Sequence, residues 1–209
     1  MKKIIITGTS RGIGNKIAKK LLSQNMLIIG LSRTHNIKHK NYFPVLYDLN
    51  DIQGIKAIVN EIITKHKRID ALISNAGYGI FENIENIKEK EIINFFNVNL
   101  LSHILLSKFI ITHFKKKKAG HFIFMGSEAS LNGNQKSTLY ASAKHGLLGF
   151  VKSLRAECNK SEIRVTIINP GMVKTSFFKN LKFTPGSSKK NSINPDDLAE
   201  LLFFILNSN

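Results

Sequence analysis

Residues 3–14, close to the start of the chain, read KIIITGTSRGIG, and this stretch decides the fold. An apolar, β-branched run from Lys3 to Thr7 leads directly into three glycines spaced G-x-x-x-G-x-G, and a helical pattern follows. Glycines let the backbone turn tightly and approach a pyrophosphate, whose charge then lies at the positive end of the next helix. The stretch therefore predicts a strand, a phosphate-binding loop and a helix.

The rest of the chain repeats this alternation of strand and helix. The predicted strands are Lys3 to Thr7, Met26 to Leu31, Pro44 to Tyr47, Ala71 to Ser74, His121 to Met125 and Arg164 to Ile168. The predicted helices are Ile13 to Ser23, Ile52 to His66, Ile92 to Lys115, Leu139 to Cys158 and a last one opened by Pro195. Apolar strands separated by helices favour one α/β domain over residues 1–209, a doubly wound parallel sheet covered on both faces.

Composition bears on partners and on location. The 209 residues carry a net charge of +17, built mainly from scattered lysines rather than arginines. Because Arg is the preferred reader of phosphates and bases, we interpret this charge as a solvated surface and expect no nucleic-acid partner. A single cysteine, Cys158, fits a reducing cytoplasm. Polar residues interrupt the stretch from Val98 to Phe114, so we expect a buried or interface helix and no membrane partner.

The end of the second predicted strand bears on the cofactor. It reads Gly30-Leu31-Ser32-Arg33, where a dinucleotide-binding fold selective for NAD usually places a carboxylate. Arg33, with Arg11 in the glycine loop as a second cation, can instead pair with a 2′-phosphate. We therefore expect NADP(H) to be preferred over NAD(H).

A candidate proton-transfer site lies further along the chain. Tyr140 and Lys144 are four residues apart on a predicted helix, and Ser127 lies thirteen residues before the tyrosine. A positive charge near a phenol can lower its pKa from about 10 toward neutrality, which would make the tyrosine a usable acid and base. Alone, this spacing occurs often by chance, and the pair is then more often a surface tyrosine and a surface lysine.

Taken in order, the motifs resemble the short-chain dehydrogenase/reductase family. They are Thr7 to Gly14, Asp48-Leu49, Ser74-Asn75-Ala76-Gly77, Asn99, Ser127, Tyr140 with Lys144, and Asn169-Pro170-Gly171-Met172-Val173-Lys174-Thr175. The resemblance runs from Lys3 to about Leu206. It implies a Rossmann-like sheet of about six strands in the order 3-2-1-4-5-6, and no metal.

The resemblance also implies roles for the site residues. Tyr140 would exchange a proton with a carbonyl or alcohol oxygen while hydride moves to or from the nicotinamide, and Ser127 would donate to the same oxygen. Lys144 would lower the tyrosine pKa and hold the ribose of the cofactor. Asn99 would position a water molecule that connects the lysine to solvent. Its alternative role is to satisfy a distortion of its helix.

The implied cofactor contacts are spread along the chain. They comprise Gly8, Ser10, Arg11, Gly12, Ile13, Gly14, Ser32, Arg33, Asp48, Leu49, Asn75, Ala76, Gly77, Tyr140, Lys144, Pro170, Gly171, Val173 and Thr175. Within this set Asp48 would accept from the adenine amino group. The carboxamide would be held by Val173 and Thr175.

The chain departs from the family pattern at two places. Ser74 stands where the family commonly has a second asparagine, and residues 1–209 include no seventh strand after the last helix. The family's tetramer is therefore less secure than its dimer. The apolar faces of helices 92–115 and 139–158 resemble paired dimerisation helices, so we expect a homodimer.

Residues 175–194 form the longest irregular stretch and are expected to be a lid over the substrate. They include Phe177, Phe178 and Phe183, together with Lys179, Lys182, Lys189 and Lys190. Such a lid suits an apolar small-molecule carbonyl compound. The sequence is equally consistent with a Glu128 side chain that points into the pocket and with one that points into solvent.

Three functions follow from these observations. The first is an NADP(H)-dependent oxidoreductase acting on carbonyl or secondary alcohol groups. The second is a non-catalytic NADP(H)-binding sensor on the same fold. The third, a nucleic-acid-binding protein, is suggested only by charge.

Overall fold

The structure is a computed structural model that describes residues 1–178, 181 and 192–208. Its strands are β1 (Lys3–Thr7), β2 (Leu27–Ser32), β3 (Tyr42–Leu46), β4 (Ala71–Ser74), β5 (Gly120–Met125) and β6 (Ile163–Ile168). Its α-helices are α1 (Gly12–Ser23), α2 (Ile55–His66), α3 (Glu89–Phe96), α4 (Ser102–Lys117), α5 (Thr138–Cys158) and α6 (Pro195–Asn207).

The six strands are all parallel and form one sheet in the order β3-β2-β1-β4-β5-β6. The predicted fold class and strand order are confirmed. The strand order reverses between β1 and β4, and in open parallel sheets this switch point is where ligands bind, at the carboxyl ends of the strands. The phosphate loop and the serine-led turn after β4 both lie at that edge.

Alternate residues of each strand supply two separate cores. Ile5 packs with the helix layer formed by α2, α4 and α5. Ile4 and Ile6 point to the opposite face and pack with α1 and α6. Burial on both faces explains why the strands read as continuous apolar runs. Because all the strands are parallel, every connection between them is a crossover that brings the next strand back to the same edge.

Some predicted boundaries were wrong. β3 begins at Tyr42 rather than Pro44, and Pro44 is tolerated because β3 is an edge strand that needs fewer backbone donors. The second helix begins at Ile55 rather than Ile52, because the Asp51 carboxylate accepts a hydrogen bond from the Gly54 amide at 3.1 Å and closes a turn first.

The predicted helix from Ile92 to Lys115 is longer and is interrupted. It consists of α3, a π-helical turn at Asn97–Leu101 and α4. Together, Glu89–Lys117 is the one helix among the described residues that is long and apolar enough to cross a bilayer by length and composition alone. In the fold it packs on α2 and the sheet, with Ile110 and Phe114 fully buried.

Candidate active site

The glycine loop is built by backbone conformation and close packing. Gly8 and Gly12 have φ of 75° and 60°, in the left-handed region that side chains disfavour. A Cβ atom on Gly14 would lie 2.3 Å from the Gly8 carbonyl oxygen and 2.5 Å from the side-chain nitrogen of Asn75. The loop therefore requires glycine at all three positions, and α1 begins at Gly12 with its free amides toward the cleft.

Asn75 holds the glycine loop to the turn after β4. Its side-chain amide donates to the Thr7 carbonyl at 3.0 Å, and the Thr7 hydroxyl accepts from the amides of Asn75 and Ala76 at 2.9 Å each. These bonds cross the switch point and fix the two loops relative to each other. A rigid floor for a ligand results.

One cleft of about 1050 Å³ runs along this edge of the sheet. It is lined at one end by Arg11, Arg33 and Asp48 and at the other by Ser127 and Tyr140. Of the predicted cofactor and catalytic residues, all line the cleft except Gly14, which lies behind its wall against Gly8. The structure therefore brings together residues spread from position 8 to position 175.

Tyr140 lies at the inner end of this cleft, on the first turn of α5. Its ring centroid is 5.1 Å from that of Phe81 and 5.9 Å from that of Phe177. Burial raises the pKa of the Tyr140 phenol; a hydrogen bond with the Ser127 side chain opposes this rise and the nearby Glu128 carboxylate adds to it. The phenol therefore keeps its proton at neutral pH.

The expectation that Lys144 lowers the tyrosine pKa stays a prediction. The Lys144 ammonium lies 5.7 Å from the centroid of the Tyr140 ring, over the ring, and donates to the Met125 carbonyl at 3.0 Å. Desolvation of the phenol is the largest cause of the shift in the Tyr140 pKa. The lysine is only 4% exposed, and its own burial lowers its pKa to about 8.

Asn99 is fully buried in the π-helical turn. Its side-chain amide donates to the Phe95 carbonyl at 3.0 Å, and its side-chain oxygen accepts from the Tyr78 amide at 3.1 Å. Both groups of the side chain are thus used to satisfy the widened turn and the loop after β4. This is the structural role that the sequence left open, and Asn99 also lines the cleft.

Segments after β5 and β6 close the inner end of the cleft. The Glu128 amide donates to the Pro170 carbonyl at 3.0 Å, and a Cβ atom on Gly171 would lie 3.0 Å from a Glu128 carboxylate oxygen. Glu128 therefore lies on the cleft wall and is also exposed to solvent, so it fits both of the predicted alternatives. The Thr175 hydroxyl accepts from the Phe177 amide at 3.2 Å and holds Phe177 toward Tyr140.

The predicted lid is described only in part. Its Phe177 and Phe178 line the cleft, and Ile193 pairs with Val173 as an isolated parallel bridge. The remaining aromatic and basic residues of the prediction lie outside the described residues: Lys179, Lys182, Phe183, Lys189 and Lys190.

Sequence reasoning missed a buried histidine beside the site. His103 on α4 is 1% exposed, and its Nδ1 lies 2.6 Å from the Ser74 hydroxyl. Burial, aided by the charge of Lys144 and opposed by the Ala76 backbone, lowers the pKa of His103 to about 3, so the imidazole is neutral. Ser74 stands where the family commonly has an asparagine, and His103 interrupts an apolar helix four residues after Asn99. Only the occurrence of both residues together could have indicated their contact.

The residues suit a nicotinamide dinucleotide by their own chemistry. The glycine loop and the start of α1 offer amides to a pyrophosphate, and Gly12 leaves room because a Cβ atom there would meet only Thr175, at 3.7 Å. Next to Pro170 of the cleft wall, the side-chain oxygen of Asn169 is buried without a hydrogen-bond partner among the described residues. The glycine loop with its free amides is the feature that fits a dinucleotide.

Comparison with known proteins points the same way. A family model described as short chain dehydrogenase matches residues 2–185. The chain is 35% identical over 187 residues to 3-oxoacyl-[acyl-carrier-protein] reductase FabG of Buchnera aphidicola subsp. Schizaphis graminum, covering 86% of this chain and 77% of that protein. It is 30% identical over 187 residues to the same-named protein of Escherichia coli K12, with the same coverage.

Solved structures agree in fold. The structure titled ElxO with NADP bound has a TM-score of 0.88 at 24% identity, covering 100% of this chain and 92% of that one. A 3-ketoacyl-(acyl-carrier-protein) reductase from Brucella melitensis complexed with NADH has a TM-score of 0.89 at 23% identity, covering 99% and 90%. With the matched family model and the two sequence relatives, these findings show that the chain belongs to the short-chain dehydrogenase family of oxidoreductases.

Proposed function

We propose that the protein is an NADP(H)-dependent reductase that converts a carbonyl group to a secondary alcohol. The observation that carries this proposal is the position of Ser127, Tyr140 and Lys144 at one end of a single cleft whose other end is the glycine loop. A hydride donor bound along this cleft would have its reactive end beside a proton donor. That juxtaposition is what carbonyl reduction needs, since the carbonyl carbon takes a hydride and the oxygen takes a proton.

Tyr140 is the proposed proton donor. Its raised pKa keeps the phenol protonated at neutral pH, which suits donation to the oxygen of a carbonyl as hydride reaches the carbon. The nicotinamide supplies that hydride when the cofactor is bound. The Ser127 hydroxyl, which already bonds with Tyr140, would donate to the same oxygen as negative charge develops on it.

Lys144 is proposed to hold the cofactor and to stabilise the tyrosinate that proton donation leaves. With a pKa of about 8 it is mainly protonated at neutral pH, so an ammonium lies by the phenol when the proton leaves. Asn99 supports this end of the cleft through the π-helical turn. Recovery of the proton by Tyr140 then completes the cycle.

The preference for NADP(H) is proposed from charge at the outer end of the cleft. Arg11 and Arg33 are exposed there, β2 ends with Ser32 where a carboxylate would favour NAD, and the carboxylate of Asp48 follows β3 instead. Arg33→Asp should weaken NADPH binding at least about tenfold, as expected for loss of a charge-assisted contact, and leave NADH binding equal or tighter. Equal NADPH affinity in the variant would reject the preference.

A 3-oxoacyl thioester is the proposed substrate class. The sequence relatives are named 3-oxoacyl-[acyl-carrier-protein] reductases. The apolar wall formed by Phe81 and Phe177 around Tyr140 suits the acyl part of such a compound. The names of the sequence relatives and the apolar wall both support this substrate class, and neither determines the length of the acyl chain.

A homodimer is proposed as the working assembly. Ile93 and Leu101, on the helical run Glu89–Lys117, are 60% and 37% exposed and could contribute apolar surface to a subunit contact. Sedimentation at micromolar concentration checks this point. A monomer would contradict it.

The experiment that tests the function is NADPH oxidation with a panel of ketones, aldehydes and 3-oxoacyl thioesters. The proposal expects turnover with at least one carbonyl compound and more efficient turnover with 3-oxoacyl thioesters than with simple ketones. Tight NADPH binding with no turnover on any of them would favour the sensor on the same fold. Turnover on simple ketones alone would keep the reductase and reject the thioester class.

A further inference from the structure

Four side chains form a continuous hydrogen-bonded chain beneath the outer end of the cleft. The Ser32 and Thr9 hydroxyl oxygens are 3.3 Å apart, and the Thr9 and Tyr42 hydroxyl oxygens are 2.8 Å apart. The Tyr42 hydroxyl lies 2.5 Å from Nδ1 of His35, whose Nε2 lies 3.1 Å from the Val45 carbonyl oxygen. The chain thus runs from a residue that lines the cleft to a half-exposed histidine.

The direction of every bond in this chain is fixed by the carbonyl at its far end. A carbonyl oxygen only accepts, so Nε2 of a neutral His35 carries the proton and Nδ1 is an acceptor. The Tyr42 hydroxyl must then donate to His35, the Thr9 hydroxyl to Tyr42, and the Ser32 hydroxyl to Thr9. A neutral His35 therefore leaves Ser32 with only lone pairs to offer the cleft.

Protonation of His35 reverses this direction. An imidazolium donates from both nitrogens, so Nδ1 would donate to the Tyr42 oxygen. Tyr42 would then donate to Thr9 and Thr9 to Ser32, which frees the Ser32 hydroxyl hydrogen for the cleft. No atom other than these hydrogens has to move, since one proton enters at His35 and one donor appears at Ser32.

Close packing preserves the hydrogen bonds between Ser32, Thr9, Tyr42 and His35. Thr9 is fully buried and Tyr42 is 6% exposed, so water does not compete for their hydroxyls. A Cβ atom on Gly30 would lie 2.3 Å from the Tyr42 hydroxyl and 2.7 Å from that of Thr9, which shows how closely β2 packs against the contact. Burial also raises the pKa of the Tyr42 phenol, which keeps this link protonated.

We propose that His35, acting through Tyr42 and Thr9, controls the hydrogen-bonding role of Ser32. Ser32 is an acceptor for a cofactor 2′-hydroxyl when His35 is neutral and a donor for a 2′-phosphate when His35 is protonated. Binding of the 2′-phosphate therefore takes up a proton at His35. The inference rests on the proposed NADP(H) function. The other charged and titratable groups at this end are Arg11 on the loop before α1, Arg33 after β2, Asp48 after β3, and Lys38, His39 and Lys40 on the segment of His35. The two arginines stay charged at all relevant pH and supply a pH-independent attraction.

Calorimetric titration with NADP⁺ and with NAD⁺ at about pH 7.5, in two buffers of different ionisation enthalpy, tests the proposal. Wild-type protein should take up more protons with NADP⁺ than with NAD⁺. The ratio of NADP⁺ to NAD⁺ affinity should fall as the pH rises, by at most about tenfold per pH unit because one proton is coupled. The phosphate itself cannot mimic this, since it gains charge with a second pKa of about 6 and would bind the arginines better as pH rises.

Tyr42→Phe keeps the buried ring and breaks the chain, so the extra proton uptake and the fall in the affinity ratio should both disappear. His35→Leu gives the same test at a half-exposed position if the first variant does not fold. His39→Gln is the matched control, because His39 lies on the same segment and, among the described residues, its side chain is hydrogen-bonded to the Asn41 amide and to no member of the Ser32–His35 chain. This variant should behave as wild type. Unchanged proton uptake in both chain variants would overturn this inference alone, whereas a protein that binds neither dinucleotide would overturn the proposed function as well.

Discussion

At the glycine loop the chain shapes the cleft with its backbone, whereas around Tyr140 it does so with buried polar side chains. Gly8 and Gly12 are held at positive φ, and the nearby arginines are exposed to solvent. At the other end Lys144 and His103 are almost wholly buried and both have strongly lowered pKa values. Substitutions should therefore act through steric fit at the first end and through electrostatics at the second.

The largest expected effect on stability comes from Lys144→Met. Burial lowers the pKa of Lys144 from 10.5 to about 8, so the unfolded chain binds this proton more tightly. The cost of burying the charge is present in full below about pH 8, falls as the pH rises toward 10.5 and is absent above it. At pH 7 the variant should be more stable by about 3 kcal/mol and inactive as a reductase.

Chemical unfolding of both proteins at about pH 7 and pH 10.5 measures this effect. The advantage of the methionine variant should vanish at the higher pH. Lys152→Met is the control, since Lys152 lies exposed on the same helix, and it should stay within about 0.5 kcal/mol of wild type. A Lys144→Met variant that is less stable at pH 7 would show that the ammonium is stabilised by its surroundings.

Gly14→Ala should disrupt the glycine loop, at the end of the cleft away from Tyr140, by a steric clash. The new Cβ atom would lie 2.3 Å from the Gly8 carbonyl oxygen, so the loop or α1 must shift. We expect a loss of about 1–3 kcal/mol in unfolding free energy, typical of overpacking, and at least a tenfold loss of NADP⁺ affinity. Gly149→Ala is the matched control, because a Cβ atom there meets nothing within 4 Å in the interior of α5.

The control should gain up to about 1 kcal/mol from helix propensity and keep its affinity for NADP⁺. If Gly14→Ala had the unfolding free energy and NADP⁺ affinity of wild type, the glycine loop would be more adaptable than its contacts indicate. Urea unfolding and fluorescence titration are sufficient measurements.

An effect on stability alone is expected for the pair formed by Ser74 and His103. Ser74→Ala leaves Nδ1 of a buried imidazole without its partner and should cost about 1–3 kcal/mol. The double variant Ser74→Ala/His103→Val removes both polar groups and should recover most of that loss. A double variant as unstable as the sum of the two single variants would show that the two side chains act independently.

The two ends also differ in how far the sequence predicts them. The glycine loop follows from its motif after an apolar strand, and Tyr140 with Lys144 from their spacing on a predicted helix. The strand order came from the family resemblance that these motifs carry together. The contact of Ser74 with His103 joins residues 29 apart that share no pattern. The direction of the Tyr140 pKa depends on how much water the fold removes, which spacing alone does not determine.

The hydrogen-bonded chain from Ser32 to His35 was equally beyond prediction. Thr9 and Tyr42 lie 33 residues apart, and their contact depends on the register in which β2 pairs with β3. The π-helical turn at Asn97–Leu101 likewise has no periodic signal, because a single widened turn leaves the apolar pattern on both sides unchanged.

The central claim is that the two ends perform separable tasks, with Tyr140 donating the proton and the glycine loop holding the cofactor. The direct test is to measure NADPH affinity and the single-turnover rate of NADPH oxidation in Tyr140→Phe, with a carbonyl compound that wild-type protein reduces. We predict that affinity stays within about threefold of wild type while the rate falls roughly 10²- to 10⁴-fold, the usual contribution of a general acid. A variant that oxidises NADPH at the wild-type rate would contradict the account.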